Sequence, residues 1–400
     1  MNILFLTMSY LYDISQRGIY ADLMSKFHAE GHQVFIVSPR ERRLKVSTLM
    51  IKQGTVHYLG VKTLNLSKTT AIEKGLGQII ADYQYNRAIK KHLKDCRFDL
   101  ILYSTPPVTF LRTISSQRRH NPQTKTYLLL KDIFPQNALD IEMLKYTGIK
   151  GLLYHYFREK EKQLYRLSDN IGCMSPANVR YILKHNPEIS ADKVEVAPNS
   201  IQLVEQQAIE KEVILKKYGL PTDRPVLIYG GNLGKPQGIP FLTDCLKANA
   251  FRNDCHFLII GNGTEYPKLK QWYANNNPTS ITLMEYIPKA EYDQLVAVCD
   301  VGLIFLDHRF TIPNYPSRLL SYLENKMPVL CATDPNTDMG LIAQDNGYGF
   351  WCESNSVDAF NDILNKMLSA DRKEMGEKGY DFLQKNYLVE NTYEAIMRHV

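Results

Sequence analysis

The sequence predicts an α/β protein of two Rossmann-like domains, each built on a doubly wound parallel sheet, and three observations carry that expectation. Short apolar runs alternate with helical patterns from end to end. The alternation loosens around residues 201–209 into a polar segment containing Gln202-Leu-Val-Glu-Gln-Gln207, then starts afresh. A chain of 400 residues is also long enough to bury two separate cores.

In chain order, residues 3–6 form the first run of apolar residues, the pattern of a parallel strand covered on both faces. Residues 19–30 have helical spacing and stop at Gly31, a residue suited to the left-handed turn after a helix. Strands are expected at 34–37, 100–103, 127–130, 171–174 and 194–197, and helices near 72–94, 108–119 and 151–167. Beyond the polar segment, further strands are expected at 226–229, 257–260, 281–284, 301–305 and 329–331, and helices at 372–385 and 390–399. The domain boundary falls near residue 200. Two such halves would face each other across a cleft, with ligands at the carboxyl ends of the strands.

Composition narrows the function classes. With 48 Lys and Arg against 42 Asp and Glu, the net charge is +6, too little to argue for nucleic acid. It suits an enzyme that handles diphosphates near an anionic membrane. The opening Met1-Asn-Ile-Leu-Phe-Leu-Thr7 has neither a basic n-region nor a small-residue cleavage site, and no apolar run reaches the ~18–20 residues of a membrane span. The seven cysteines form no C-x-x-C pair, so reduced thiols in the cytoplasm are expected. There is no G-x-S-x-G elbow, no H-E-x-x-H and no zinc spacing.

Three stretches of the second half carry chemistry. Tyr229-Gly-Gly-Asn-Leu-Gly-Lys-Pro-Gln-Gly238 follows a strand and leads into a helix, where glycines let backbone N–H groups approach a phosphate and Lys235 adds a mobile cation. Pro236 after that lysine excludes a Walker A loop. A second glycine turn, Gly261-Asn-Gly263, ends the next strand. The third stretch, Ile312-Pro-Asn-Tyr-Pro-Ser-Arg318, runs into a helix started by Pro316 and Ser317. A cation at Arg318 in a first helical turn opposes the dipole unless an anion joins it, which points to a bound diphosphate. In the first half, Asp132 follows the strand 127–130 and is the leading buried-carboxylate candidate. Neither Lys235 nor Arg318 is expected in a core, so removing them should leave stability almost unchanged.

In this order and spacing, the three stretches resemble the donor domain of retaining glycosyltransferases of family 4, which have the GT-B fold. Within that group they resemble the bacterial enzymes of surface-polysaccharide assembly (capsule or exopolysaccharide). Ala197-Pro-Asn-Ser200 is similar to the family's Pro-Asn-Gly element, and Leu130-Lys-Asp-Ile-Phe-Pro135 to its Arg-Asp-Leu-Trp-Pro element. The family's Glu-x7-Glu pair falls at Pro313 and Ser321 in this chain, and Glu324, one turn on, is the candidate substitute.

The resemblance implies an acceptor domain over 1–200, joined by the helical end 386–400, and a donor domain over 201–385. It implies transfer of a sugar from a nucleotide-diphosphate sugar, with a UDP-sugar expected, to a glycan or polyprenyl-diphosphate-linked acceptor. Lys235, Arg318 and Asp132 are the implied catalytic residues, and no metal or cofactor is called for. Implied donor contacts are Gly18, Gly231, Asn232, Leu233, Gly234, Gly238, Gly261, Gly263, Tyr286, Ile287, Asn314, Tyr315, Pro316, Ser317, Leu319, Ser321 and Glu324. Arg17, Ser104, Thr105 and Asn199 are the implied acceptor contacts. The basic segments Arg40-Glu-Arg-Arg-Leu-Lys45, Lys90-Lys91 with Lys94, and Arg118-Arg119 make an anionic membrane surface a further expected partner. Two rival readings share the fold: a sugar-nucleotide epimerase or hydrolase, and a non-catalytic binding subunit.

Overall fold

The computed structural model describes residues 1–66, 69, 71–204 and 209–400. Residues 205–208 of the polar segment therefore lie outside the described residues. The chain divides into two compact units, one of Met1–Gln202 with Leu388–Val400 and the other of Leu203–Tyr387.

The first unit contains, in order, β1 (Asn2–Leu6), α1 (Ile19–Ala29), β2 (Gln33–Glu41), β3 (Leu49–Gln53), β4 (Val56–Thr63), α2 (Ala71–His92), β5 (Leu100–Ser104), α3 (Leu111–His120), β6 (Lys125–Leu130), α4 (Gln136–Asp140), α5 (Gly148–Leu167), β7 (Asn170–Cys173), α6 (Pro176–His185) and β8 (Val194–Val196). Its sheet runs β3-β4-β2-β1-β5-β6-β7-β8, and every described pairing is parallel except β3 with β4. The antiparallel β3 modifies the all-parallel expectation. Its residues are mostly exposed, and its apolar run of three, Leu49-Met50-Ile51, was too short to be read as a strand. β1 and β5, in contrast, are apolar along their length and almost fully buried, because helices cover both faces.

The second unit contains α7 (Lys211–Lys217), β9 (Val226–Asn232), α8 (Ile239–Ala248), β10 (His256–Asn262), α9 (Tyr266–Asn276), β11 (Ile281–Met284), α10 (Lys289–Val298), β12 (Val301–Phe305), α11 (Arg318–Glu324), β13 (Val329–Thr333), α12 (Met339–Asp345), β14 (Gly349–Glu353), α13 (Val357–Ser369) and α14 (Arg372–Asn386). Its sheet order is β11-β10-β9-β12-β13-β14, all parallel. That is the Rossmann order, in which the winding reverses between β9 and β12 and opens a crevice at their carboxyl ends. The same reversal lies between β1 and β5 in the first unit. β14 went unread because it is a half-buried edge strand carrying Trp351 and Glu353.

The last helix, α15 (Val389–Met397), belongs to the first unit. Val389, Ala395 and Ile396 join that unit's core, and Tyr393 meets Phe27 of α1 with ring centroids 4.9 Å apart. Local chemistry starts several helices. Ser175 accepts a hydrogen bond from the Asn178 amide ahead of Pro176 in α6, and Asp371 accepts from the amides of Lys373 and Glu374 in α14.

Candidate active site

The second unit gathers its three sequence stretches at the carboxyl edge of one sheet. β9 and β10 stay in register to Asn232 and Asn262, so their glycine turns lie side by side. A Cβ at Gly261 would stand 1.8 Å from the Gly231 carbonyl oxygen, so only glycine permits this approach. Gly231 itself has φ +130°, and its Cβ would meet Arg318 Nη2 at 3.2 Å. The third stretch thus reaches the first turn directly.

Arg318 is the first residue of α11. Its guanidinium carbon lies 4.4 Å from the ring centroid of the fully buried Tyr229, whose hydroxyl donates to the Asn232 carbonyl at 2.7 Å. Tyr322, one turn along α11, has its hydroxyl within reach of the carbonyls of Ile228 (3.2 Å) and Leu303 (3.4 Å), and Tyr292 lies against Gly230. Within this tyrosine cage, Arg318 Nη1 is buried and makes no hydrogen bond among the described residues. Asn314 Nδ2, four residues earlier, is a second buried donor without an acceptor among them. Its backbone is fixed, because the Asn314 amide donates to Thr337 Oγ1 at 3.0 Å and that hydroxyl donates to Asp334 at 2.8 Å. Burial pushes the Asp334 carboxyl up to about 6, opposed by Thr337 and the amide of Asn336.

Around this centre the other expected donor residues vary in what they offer. Asn232 is exposed and donates to Gln237, while Gly234 is buried. Lys235 is exposed at the start of a short 3-10 turn and makes no ion pair or side-chain hydrogen bond among the described residues. Gly238 begins α8 and packs against Leu306 and Asp307 in the loop after β12. Burial raises the Asp307 carboxyl, yet Arg309 outweighs it and holds the group below its usual range; His308 beside it is exposed. Gly263 packs on Leu233, and Asn262 donates to Glu285 at 2.9 Å, which draws the end of β11 alongside. There Tyr286 is 79% exposed and Ile287 half-buried. Pro316 and Ser321 are half-buried and Ser317 exposed, while Glu324 is buried at the last position of α11.

Three more of the expected donor residues are buried. Leu233 and Leu319 are fully buried, so their side chains serve the core. Tyr315 is buried too, and its hydroxyl is engaged with that of Tyr387. The expectation that Arg318 lies apart from the packing fails, because its guanidinium covers Tyr229.

In the first unit the expected residues gather at the carboxyl edge around β5 and β6. Thr105 Oγ1 accepts from the amides of Lys131 (3.1 Å) and Asp132 (3.3 Å) and donates to the Asp132 carbonyl (3.0 Å). With its donor and both acceptor positions used, the Thr105 hydroxyl braces the backbone of Lys131 and Asp132. Asn137 donates to Asp132 Oδ2 at 2.7 Å. Ser104 is buried near Tyr20, whose hydroxyl burial pushes up to about 12. Asn199 is buried with its amide against Met174 sulfur at 3.7 Å. Gly18 and the exposed Arg17 precede α1: the Gly18 amide donates to Asp22 at 3.1 Å, and Asp22 also accepts from the Gln202 amide.

Sequence reasoning missed Lys131. Burial pushes its amine down to about 7, opposed by Cys173, and Nζ donates to the Ala197 carbonyl at 3.1 Å. Its signal was present, a charged residue directly after an apolar strand at the carboxyl edge. The tyrosine cage was missed as well, since Tyr292 comes from α10, outside all three stretches.

Comparison with known proteins bears on these geometries. Residues 210–382, almost all of the second unit, match the family described as "Glycosyl transferases group 1". A probable glycosyltransferase, WbjE of Pseudomonas aeruginosa, is 23% identical over 330 residues, covering 80% of this chain and 78% of that protein. Among solved structures, sucrose-phosphate synthase from Thermosynechococcus elongatus is similar with a TM-score of 0.75 at 13% identity, covering 100% of this chain and 98% of that one. HepE of Anabaena, solved in complex with UDP and glucose, is similar with a TM-score of 0.70 at 14% identity, covering 100% and 99%. The chain has the GT-B fold. Residues 210–382 are the part that matches the group 1 glycosyltransferase model, and Gly231, Gly261 and Arg318 all lie inside that match.

Proposed function

We propose that the chain transfers a sugar from a nucleotide-diphosphate sugar, with UDP as the favoured nucleotide, to a glycan or polyprenyl-diphosphate-linked acceptor in bacterial polysaccharide assembly. The observation that carries this reading is the pair of buried donors without acceptors, Arg318 Nη1 and Asn314 Nδ2, in one stretch of the group 1 domain. An unsatisfied buried donor costs about 1–3 kcal/mol, and more on a charged group. A diphosphate would supply both the acceptor oxygens and the countercharge. HepE, a structural neighbour, was solved with UDP and glucose, which supports the nucleotide choice.

The proposed chemistry is transfer with retention, as in retaining family 4 enzymes. The bond from the anomeric carbon to the diphosphate oxygen breaks, the acceptor oxygen bonds to the same face, and the leaving phosphate oxygen takes the acceptor's proton. Arg318 and Lys235 stabilise the charge on the leaving group, so no metal is assigned a role. The exposed Tyr286 ring is the candidate platform for the base. On the first unit, Asp132, held by Thr105 and Asn137, is assigned to the acceptor hydroxyl, with Ser104, Asn199 and Arg17 as further acceptor contacts. A lipid-linked acceptor would bring the enzyme to the cytoplasmic face of the membrane, helped by the basic segments of the first unit. Among the described residues no helix is long and apolar enough to cross a membrane.

The test is calorimetric binding of a panel of nucleoside diphosphates, followed by donor consumption with and without a lipid-diphosphate glycan acceptor. UDP should bind tightest, and turnover should require the acceptor. Full turnover without an acceptor would make the chain a hydrolase or epimerase, and no nucleotide binding would leave it a binding subunit.

A further inference from the structure

Helix α5 carries two apolar faces, and its own unit uses only one. Tyr154, Phe157, Leu164 and Tyr165 are buried. In the first turns, Ile149, Leu152, Leu153 and Tyr156 follow the i, i+3, i+4, i+7 spacing of a single helix face, yet they are 80, 72, 41 and 39% exposed. Met143 and Tyr146 extend this outer stripe from the preceding loop and are also exposed.

The stripe is built into the fold. The Tyr146 ring meets buried Tyr154 edge-on with centroids 5.1 Å apart. A Cβ at Gly151 would stand 2.4 Å from the Tyr146 carbonyl oxygen, so glycine there lets the loop close onto the helix. Lys145 and Lys150 are exposed within the stripe, and the carboxylates nearest in sequence, Glu142 and Glu159, stand just outside it at either end.

We propose that this face of α5 is where the protein docks on a bilayer containing anionic lipid. The apolar side chains would enter the acyl boundary, the two tyrosines would sit at headgroup level, and the lysines would meet lipid phosphates. A second copy of the chain suits the face less well. A two-fold contact would set the patch on itself and bring its lysines together, with Glu142 and Glu159 only at its ends. The inference deepens the membrane part of the proposed function, which it rests on for its purpose, and it draws on nothing in the nucleotide pocket.

The test is flotation of the full chain with phosphatidylcholine vesicles, with and without phosphatidylglycerol, at low and high salt. Wild type should bind the anionic vesicles, and less so as salt rises. The double variant Ile149→Glu/Leu152→Glu should lose binding by about tenfold or more. Lys145→Ala/Lys150→Ala should lose the preference for anionic lipid. All variants should keep wild-type melting and UDP affinity, which separates this proposal from the donor reading. Absent binding by wild type, or equal binding by the Glu variant, overturns it. A wild-type dimer in light scattering that the Glu variant splits would assign the face to a second copy and overturn it as well.

Discussion

The carboxyl edges of the two sheets share a winding pattern and differ in electrostatic design. In the second unit the edge presents cations: Arg318 has a nitrogen without a partner, Lys235 is unpaired among the described residues, and two glycine turns leave backbone open between them. In the first unit the corresponding edge holds its cation in check. Lys131 is tied to the Ala197 carbonyl and pushed down to about 7, and beside it stands a half-buried carboxylate, Asp132, braced by Thr105 and Asn137. One edge carries a buried guanidinium nitrogen without a hydrogen-bond partner among the described residues, and the other a braced carboxylate. The reversal of strand order supplies a crevice in both cases, and the side chains around it decide its use.

The largest effect expected from breaking this contrast lies at Asp132. Asp132→Asn should lower glycosyl transfer by about 10²-fold while leaving calorimetric UDP affinity unchanged. A parallel loss of UDP affinity would erase the division of labour between the two edges.

Arg318 comes next. Arg318→Ala removes a charge-assisted contact of about 1.5–3 kcal/mol, so UDP-sugar affinity or rate should fall about ten- to a hundredfold. Lys235→Ala should cost about tenfold or less, since its exposed ammonium is already hydrated and screened. The two losses should combine non-additively if both groups touch one diphosphate. Arg318→Ala should also lower the melting temperature by a few degrees, because the stack on Tyr229 is worth about 0.5–2 kcal/mol. Wild-type UDP affinity in both variants would take the donor pocket away from this edge.

The smallest effect sharpens the first unit. The folded pKa of Lys131 is depressed to about 7, so between that value and its ordinary range the unfolded chain binds the extra proton. Stability at this site is therefore fully present above the ordinary lysine range and is lost as pH falls toward 7. Lys131→Met should flatten this dependence and gain on wild type most at pH 7 and below, as read by denaturant melts across pH 6–10. Parallel profiles would place the amine in water.

Legibility in the sequence followed burial only in part, since β4 is largely buried and was not read. β1, β5 and β12 were readable because strands covered on both faces carry unbroken apolar runs. β3 was not, because an exposed edge strand pairs through its backbone and places no demand on its side chains. The glycine turns and Arg318 were legible because close approach and charge restrict residue type. The internal partners of Thr105 and Tyr315 were not legible, because a polar atom signals the capacity to bond and not the partner, which here is Asp132 for one and Tyr387 for the other.

By itself, then, the sequence determined two α/β halves, most of their buried strands, and the stretches that join glycine turns to cations. These follow from local periodicity and from residue types that only certain backbones accept. Tertiary structure alone decided which of those groups remain unsatisfied. Arg318 could have been a solvated surface cation; packing on Tyr229 inside a cage closed by Tyr292 from another helix leaves one nitrogen buried and unpaired. Lys131 reads as an ordinary lysine until β7 and the loop after β8 surround it and remove its water. Desolvation and hydrogen-bond partnership come from neighbours distant in sequence, and no local pattern encodes them.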